Sequence, residues 1–503
     1  VITLTASAAI FTVTDIGRNV RLKIAGVWGW CRITAYTDTT HVTATVYGGA
    51  LGGTTATSTW RLGLYCDTLG YPSCGTFFED RLVMAGHPAA PQRFDGSNTA
   101  DYTNMSPSDS AGAVTASHAV SYTLIARQAN PVFWLVDNDK GLVAGAYNGE
   151  FLVRPSTNSE AMSPTNVSAK MATGNGSANV AAVELDKSVV YVGKTGRKLH
   201  DFFYDVNVEN YRSPDISVIG EHMTQSGVVQ LAAAKTPQPM VWGVRGDGQL
   251  VGMTYNKDDH QQGWHRQILG GYSDTDRTLP AVVESIAVIP EPNGQYDEVW
   301  MIVRRVINGI TKRYVEYMTK FWETNDQLVD AFYVDCGLTY SGTAATVIGG
   351  LSHLAFETVD ILADGARHPP LQVDATGTIT LRNAASKVQV GLPMTSVARM
   401  LPTDAGAADG TALAKTRRVD HVGFWFMDTV GGKYGDSMDT LNLFLARSDQ
   451  DLMDNPPPLF SGQVTEPWDG DYTFDDGIYV VQDAPFPMTL LAIAPRLVEY
   501  DAG

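Results

Sequence analysis

Five apolar stretches recur along the middle of the chain, beginning near Arg81, Val132, Ser188, Pro239 and Glu298, at intervals of roughly 51, 56, 51 and 59 residues. They read RLVMAG, VFWLV, VVYVG, MVWGV and VWMIV. Four of them run into a turn rich in Gly, Asn or Asp: Asn138-Asp-Lys-Gly141, Gly193-Lys-Thr-Gly196, Gly246-Asp-Gly248 and Asn308-Gly309. The first turns at His87–Pro91, where two prolines cannot donate to a sheet ladder. A second strand follows each turn. A recurrence near 50 residues with several strands per unit is the pattern of propeller blades. It predicts a series of small antiparallel sheets with Leu82, Val190, Trp242 and Trp300 in their cores; a pair of ordinary β-sandwiches is the competing reading.

The rest of the chain is organised around that series. Residues 1–62 read as a small antiparallel β module: Val20-Arg-Leu-Lys-Ile24 alternates apolar and basic, the period of a half-buried strand, and Trp28–Tyr36 and His41–Val46 follow across the turn cluster Thr37–Thr40. Residues 63–330 form the propeller-like domain. From 331 to 503 the pattern changes to sandwich-like strands at Val359–Leu362, Gly377–Leu381, Lys387–Val390, Val422–Met427 and Leu441–Ala446, with a small-residue loop at Ala405–Ala414. The strongly apolar Met488–Ala494 is expected to be a buried last strand. A chain of 503 residues should divide into several domains. Its 48 Gly and 24 Pro favour short strands over long helices. The fold class is therefore mainly β and multidomain. No stretch approaches the roughly 20 apolar residues of a membrane-spanning helix. The chain opens at Val1 with no signal-like segment, which reads as a processed chain or the visible part of a longer product.

Catalytic and cofactor motifs are weak throughout. Gly193-Lys194-Thr195 resembles the end of a phosphate loop, but the required first glycine would fall at Ser188. Asp258, Asp259, His260 and His265 cluster around Trp264, which a polar loop before a buried Trp explains as well as a metal or acid–base site. The segment WDGDYTFDDG holds Asp469, Asp471, Asp475 and Asp476, yet lacks calcium-loop spacing and its distal Glu. Four cysteines show no metal-ligand spacing. No cofactor, metal or catalytic residue is expected, and the chain reads as a non-enzyme.

Several stretches carry a resemblance. They are Trp60-Arg-Leu-Gly63, Gly70-Tyr-Pro72, FFEDRLVMAG with PQRFDGSNTADYTN, Gly263-Trp-His-Arg266, Glu298–Gly309 with Lys312-Arg-Tyr-Val-Glu316, Gly350–Leu354, Ile361–Gly365, Val390–Pro393 and Phe486-Pro487. Together the chain resembles the tail nozzle (tail tubular protein B-like) family of short-tailed, podovirus-type bacteriophages. The resemblance implies a structural protein of the virion, made in the host cytoplasm. It would form a homo-hexamer around a channel, below a tail adaptor protein and beside tail fibres or spikes, with DNA ejected through it unbound. The rival class is a secreted propeller hydrolase or carbohydrate-binding protein, which would need acids or aromatics converging on a propeller centre.

Charge bears on that choice. The chain carries 54 acids and 36 bases, a net −18. Leu401–Gly503 holds 17 Asp/Glu against 6 Lys/Arg, so −11 falls in the last fifth. Gripping nucleic acid needs the opposite sign, whereas a channel wall that repels phosphate lets DNA slide. Asp469, Asp471, Asp475 and Asp476 are the candidate channel-lining residues; an outer surface made soluble by the same charges is the alternative.

Overall fold

The computed structural model describes residues 1–126, 128–157, 160–257, 259, 261–402, 416–444, 447–449, 451–452, 455–468, 470–474 and 477–499, with 498 and 499 described by backbone alone. Among them are 35 strands and three short 3-10 turns, so the fold is mainly β. The chain divides into two compact units, Val1–Gly246 with Val251–His265, and Asp247–Leu250 with Arg266–Gly503. That division runs between the fourth and fifth recurring sheets, whereas the sequence placed a domain boundary near 330.

The N-terminal module is a five-stranded antiparallel sheet. Its central strands are Asn19–Ile24, Val27–Tyr36 and His41–Tyr47, flanked by Ile2–Thr5 and Trp60–Leu62. Alternation sets its core as expected: Val20, Leu22 and Ile24 point inward with Cys31, Ile33, Val42 and Ala44, leaving Arg21 and Lys23 on the other face.

Four antiparallel four-stranded meanders follow. Sheet I comprises Cys74–Phe78, Arg81–His87, Ala90–Gly96 and Val120–Thr123. Sheet II comprises Val132–Asn138, Gly141–Ala146, Gly149–Arg154 and Ser168–Thr173. Sheet III runs through Val183–Leu185, Ser188–Val192, Leu199–Asp205 and Asn210–Arg212, and sheet IV through Val228–Ala234, Met240–Arg245, Leu250–Asn256 and Gln261–Gln267. They stack face to face in sequence. In sheet II, Leu142 and Ala144 pack with Val83, Phe94 and Val120 of sheet I, while Val143 between them packs with Val189 and Tyr191 of sheet III. In sheet III, Val190 and Val192 point the other way, onto Val228, Leu231 and Val241 of sheet IV. A strand with a sheet on each side must be apolar at every position. Gly141–Ala146 and Ser188–Val192 are buried throughout for that reason, and Met240–Arg245 is buried throughout as well. The series of small stacked meanders is propeller-like.

Three local readings change. The recurring apolar run is the second strand in sheets I, III, IV and V; the strand before it is short in sheet III, at Val183–Leu185, and a full strand in sheets IV and V, at Val228–Ala234 and Val282–Pro290. The first hairpin is tighter than expected, with His87 paired to Ala90, so Pro91 lies inside a strand. Leu82 and Trp300 are only half-buried: the phase of their strands puts Arg81, Val83 and Ala85, and Val299, Met301 and Val303, on the inner face. Val190 and Trp242 are buried.

The second unit begins with sheet V, three strands at Val282–Pro290, Asp297–Ile307 and Ile310–Tyr317. Ile307 and Tyr314 pack into a core shared with sheet VI, whose strand order is Asp335–Ile348, Ile379–Leu392, Thr358–Ala363, Ala366–Gln372. Gly377–Leu381 and Lys387–Val390, expected as two strands, fall on that one 14-residue strand, bent by register shifts against its neighbour. Sheet VII orders Ser396–Arg399, Tyr479–Gln482, Lys433–Gly435 and Leu441–Leu443; sheet VIII has Arg417–Thr429 between Phe460–Pro467 and Thr489–Glu499. Phe424 and Phe426 of sheet VIII meet Tyr434, Phe444 and Val480 across a sandwich-like core. The last strand is an edge rather than a buried strand: Leu490 and Ile493 pack inward, and Leu491 is 60% exposed. An edge also tolerates Pro495, which has no N–H to give. Ala405–Ala414 lies outside the described residues, as do Leu445 and Ala446.

Candidate functional site

The acidic segment lies between Phe460–Pro467 and Tyr479–Gln482. Asp471 is exposed; Asp469, Asp475 and Asp476 lie outside the described residues. The segment is tied down at two points. Trp468 is buried against Tyr434, and its N–H donates to the Asp420 carbonyl at 2.9 Å. Gly470 follows because a Cβ there would meet the Trp468 ring at 2.9 Å. Further on, Arg417 and Thr473 exchange backbone N–H···O bonds of 2.8 Å, and the buried Arg417 guanidinium donates to the Phe474 carbonyl at 3.0 Å. With its root fixed, the loop presents Asp471, Tyr472 and Phe474 to solvent, the last 62% exposed.

The other sequence candidates separate. Gly193–Gly196 forms the tight turn of a hairpin: Gly193 N–H donates to the Lys198 carbonyl, Gly196 N–H to that of Gly193, and Gly196 has φ +76°. Its glycine N–H groups are spent on the turn, and that of Lys194 donates to the Gly176 carbonyl. His265 packs edge-on against Trp242 with ring centroids 5.3 Å apart, and burial lowers its pKa, favouring the neutral ring. Asp259 accepts from the Asn256 side chain at 2.7 Å. Asp258 and His260 lie outside the described residues. Among the described residues, no group of three or more His, Cys, Asp or Glu could hold a metal ion.

The charged residues that do converge are buried and were missed from sequence. Arg81 donates to the carbonyls of Ser97, Ala116 and His118, the last at 2.7 Å, closing the long loop of sheet I. Arg305 forms a two-pronged pair with Glu316 and donates through Nε to the Gly270 carbonyl at 2.7 Å. Asp335 accepts from the Gly270 N–H beside it, and burial pushes its pKa up to about 6 against the help of that bond and of Arg305. Glu150, fully buried, accepts from Thr173 at 2.6 Å and Ser177 at 3.0 Å; burial raises its pKa. Asp201 accepts from Tyr255 at 2.7 Å and from Lys257 at 3.1 Å. A signal existed for the arginines: Arg81, Arg305 and Arg417 each sit on a strand in phase with buried apolar residues, where a charge is tolerated only if fully bonded. These groups spend their hydrogen bonds on neighbouring backbone and side chains. The arrangement serves to fasten loops to sheets.

No family model matches the chain, and no curated protein does. Solved structures match weakly. The Cps50 (Swd1) β-propeller domain of Myceliophteria thermophila is 12% identical over 63% of this chain and 89% of its own, with a TM-score of 0.29. A 6-phosphogluconolactonase-like protein of Bacteroides fragilis is 11% identical over 63% and 86%, at 0.29. An exo-β-1,3-galactanase of Phanerochaete chrysosporium is 10% identical over 98% and 100%, at 0.25. Superpositions this loose carry no argument about fold or activity, so the propeller-like description rests on the stacked meanders themselves.

Proposed function

We propose that this chain is a structural subunit of a short phage tail, a nozzle protein that assembles as a homo-hexameric ring through which DNA leaves the particle. One observation carries the reading: the stretches that resemble the nozzle family supply fasteners of the scaffold rather than the rim of a cleft. FFEDRLVMAG contributes Arg81 and its loop clasp, and Glu298–Glu316 contributes the hairpin closed by Arg305 and Glu316. Ile361–Gly365 turns the hairpin of sheet VI, and Phe486 sits in a buried cluster with Ala331, Leu362 and Val430. A subunit whose task is to hold shape under load needs those residues; an enzyme would concentrate its distinctive residues at a pocket. The adaptor above the ring, the fibres or spikes beside it, and passage of DNA without specific binding belong to the same proposal, as does placement in the virion.

Native mass measurement of the purified chain and electron microscopy of particles test it. Six copies per particle are expected, and one copy per particle would sink the reading. Asp259→Ala and His265→Ala test the hydrolase alternative. Neither variant should change any tail function while the fold is intact; loss of a cell-wall or polysaccharide cleavage in a well-folded variant would favour the enzyme.

A further inference from the structure

The N-terminal module departs in sign from the chain that carries it. Residues 1–62 hold five bases, Arg18, Arg21, Lys23, Arg32 and Arg61, against two acids, Asp15 and Asp38, so 5 − 2 gives +3 within a chain of −18. Both acids are engaged elsewhere: Asp15 is buried and paired with Arg18 at 2.7 Å, and Asp38 sits in the turn accepting from Thr40 and His41. The other four bases gather on the outer face of the sheet. The register sets Arg21 directly opposite Trp30 on one side and Arg61 on the other, Lys23 opposite Trp28, and Trp30 opposite Tyr47. Among the described residues none of these four has a carboxylate in ion-pair range. Arg21 is also held by the Ser108 hydroxyl, and the Trp28 backbone N–H donates to the Ser110 carbonyl, so a loop of sheet I covers that corner of the face. Arg32 and Arg61 stay exposed beside it; like charges directly opposite on a sheet are unfavourable, so Arg61 next to Arg21 marks an edge of the face that gains from an incoming anion.

The aromatic rings say what kind of anion. Trp30 and Tyr47 stack on each other at 5.1 Å with planes 17° apart, and the Arg21 guanidinium lies 4.2 Å over the Trp28 ring. Each ring gives one flat face to these contacts, which narrows the platform that single-stranded nucleic acid stacks on. What remains is a rigid surface of Trp, Tyr and Arg, the composition of protein–protein hot spots. The chain itself carries the complement. Leu401–Gly503 has a net −11, and its exposed Asp436 and Asp439 flank exposed Met438.

We infer that the outer face of the N-terminal sheet docks the acidic C-terminal region of a second copy of this chain. One patch then meets a different patch, a heterologous contact that closes into a ring when the rotation allows. The inference rests on the ring reading and supplies the surfaces by which neighbouring copies meet.

The test is the mass of the full-length chain by light scattering from about 50 to 500 mM salt, where screening should weaken the contact. Arg61→Glu is the first variant, because Arg61 is exposed and bonds only the carbonyl of its neighbour Trp60. Arg32→Glu with Arg61→Glu is the second. With circular dichroism unchanged, each should raise the concentration for half-assembly at least tenfold. Mixing the double variant with Asp436→Lys/Asp439→Lys should restore mixed oligomers. A well-folded Arg61→Glu that assembles like the unaltered chain overturns this contact and leaves the ring reading standing; an unaltered chain that stays monomeric at every concentration overturns both. Salt-dependent binding of a single-stranded oligonucleotide, lost in Arg61→Glu while assembly is unchanged, would give the face to nucleic acid and overturn the proposal as well.

Discussion

Sheets IV and V begin from nearly the same sequence element, yet their tryptophans meet different fates. In MVWGV the Trp242 side chain is 1% exposed, and every residue of Met240–Arg245 is buried. In VWMIV the strand alternates: Val299, Met301 and Val303 are buried, Trp300 is half-buried, Ile302 is exposed, and across from it Val315 is 69% exposed. The difference lies in how much of each strand is covered. Met240–Arg245 is buried on both of its faces, whereas the sheet V strand buries one face and leaves Ile302 on the other exposed. A two-sided strand and a one-sided strand can share composition; only the phase of the polar residues separates them.

The comparison makes its largest claim in substitution energies. Trp242→Ala should destabilise the first unit by about 3–5 kcal/mol through lost burial and the cavity left behind. Trp300→Ala removes a ring that stacks on Tyr317 at 5.1 Å on the open face and should cost about 1 kcal/mol. Urea unfolding followed by circular dichroism measures both. Equal losses would mean that sheet V is covered on its outer face in solution.

A second contrast lies within sheet V. Arg305 is fully buried and paired with the half-buried Glu316, while Arg313 on the adjacent strand pairs with Glu284 at 2.7 Å at an exposed site. Arg305→Met removes a fully buried guanidinium and leaves the half-buried Glu316 carboxylate without its partner, which should cost about 3 kcal/mol. Arg313→Met should cost at most about 1 kcal/mol, because water and salt screen an exposed pair. A small loss at Arg305 would show that Glu316 finds another partner or a proton.

Much of this was legible in the sequence because alternation and Gly-bearing turns are local signals. The N-terminal module, the five recurring sheets and the change of pattern beyond 330 all follow from them. The buried arginines were not legible in the same way. A charge inside a strand reads as a solvent-facing position until the carbonyls that receive it are placed, and Ala116 and His118 are 35 and 37 residues from Arg81. Met488–Ala494 misled in the opposite direction. Its unbroken apolar run suggests cover on both faces, yet it forms a sheet edge with Leu491 and Ala492 exposed. Of the acidic segment, the sequence identified the charge and the loop but not the Arg417 clasp at its base.

A smaller effect should appear in pH. Asp335 titrates near 6 in the folded chain because burial disfavours its charged form, with the neighbouring Glu316 adding to the rise and the Gly270 N–H and Arg305 opposing it. An unfolded Asp titrates near 3.9. The folded state therefore binds the proton more tightly. The resulting stabilisation is complete below about pH 4 and is lost as pH rises from there through about 6. The amplitude is on the order of 3 kcal/mol. Asp335→Asn keeps an acceptor for Gly270 and should flatten the stability profile of the second unit across that window. A profile identical to that of the unaltered chain would remove Asp335 as its cause.

The smallest stability effect is expected at the acidic loop, where charge bears on the passage of DNA. Asp471 is exposed and the loop is fastened through Trp468, Arg417 and Thr473, so Asp471→Lys should move stability by no more than about 0.5 kcal/mol. Any change in DNA release would then come from charge alone. Duplex DNA carries about one negative charge per 1.7 Å of axis, and a lysine on the path adds an attractive site at each passing phosphate. The interaction reaches roughly 8–10 Å in physiological salt, so it acts only if the loop faces the channel. Particles assembled with Lys at Asp469, Asp471, Asp475 and Asp476 should eject DNA more slowly than unaltered particles, and the gap should widen as salt is lowered. Asn at the same four positions should fall between the two. Ejection at the unaltered rate across all salt concentrations would place these carboxylates away from the DNA path, leaving them to solubility or to the contact between copies.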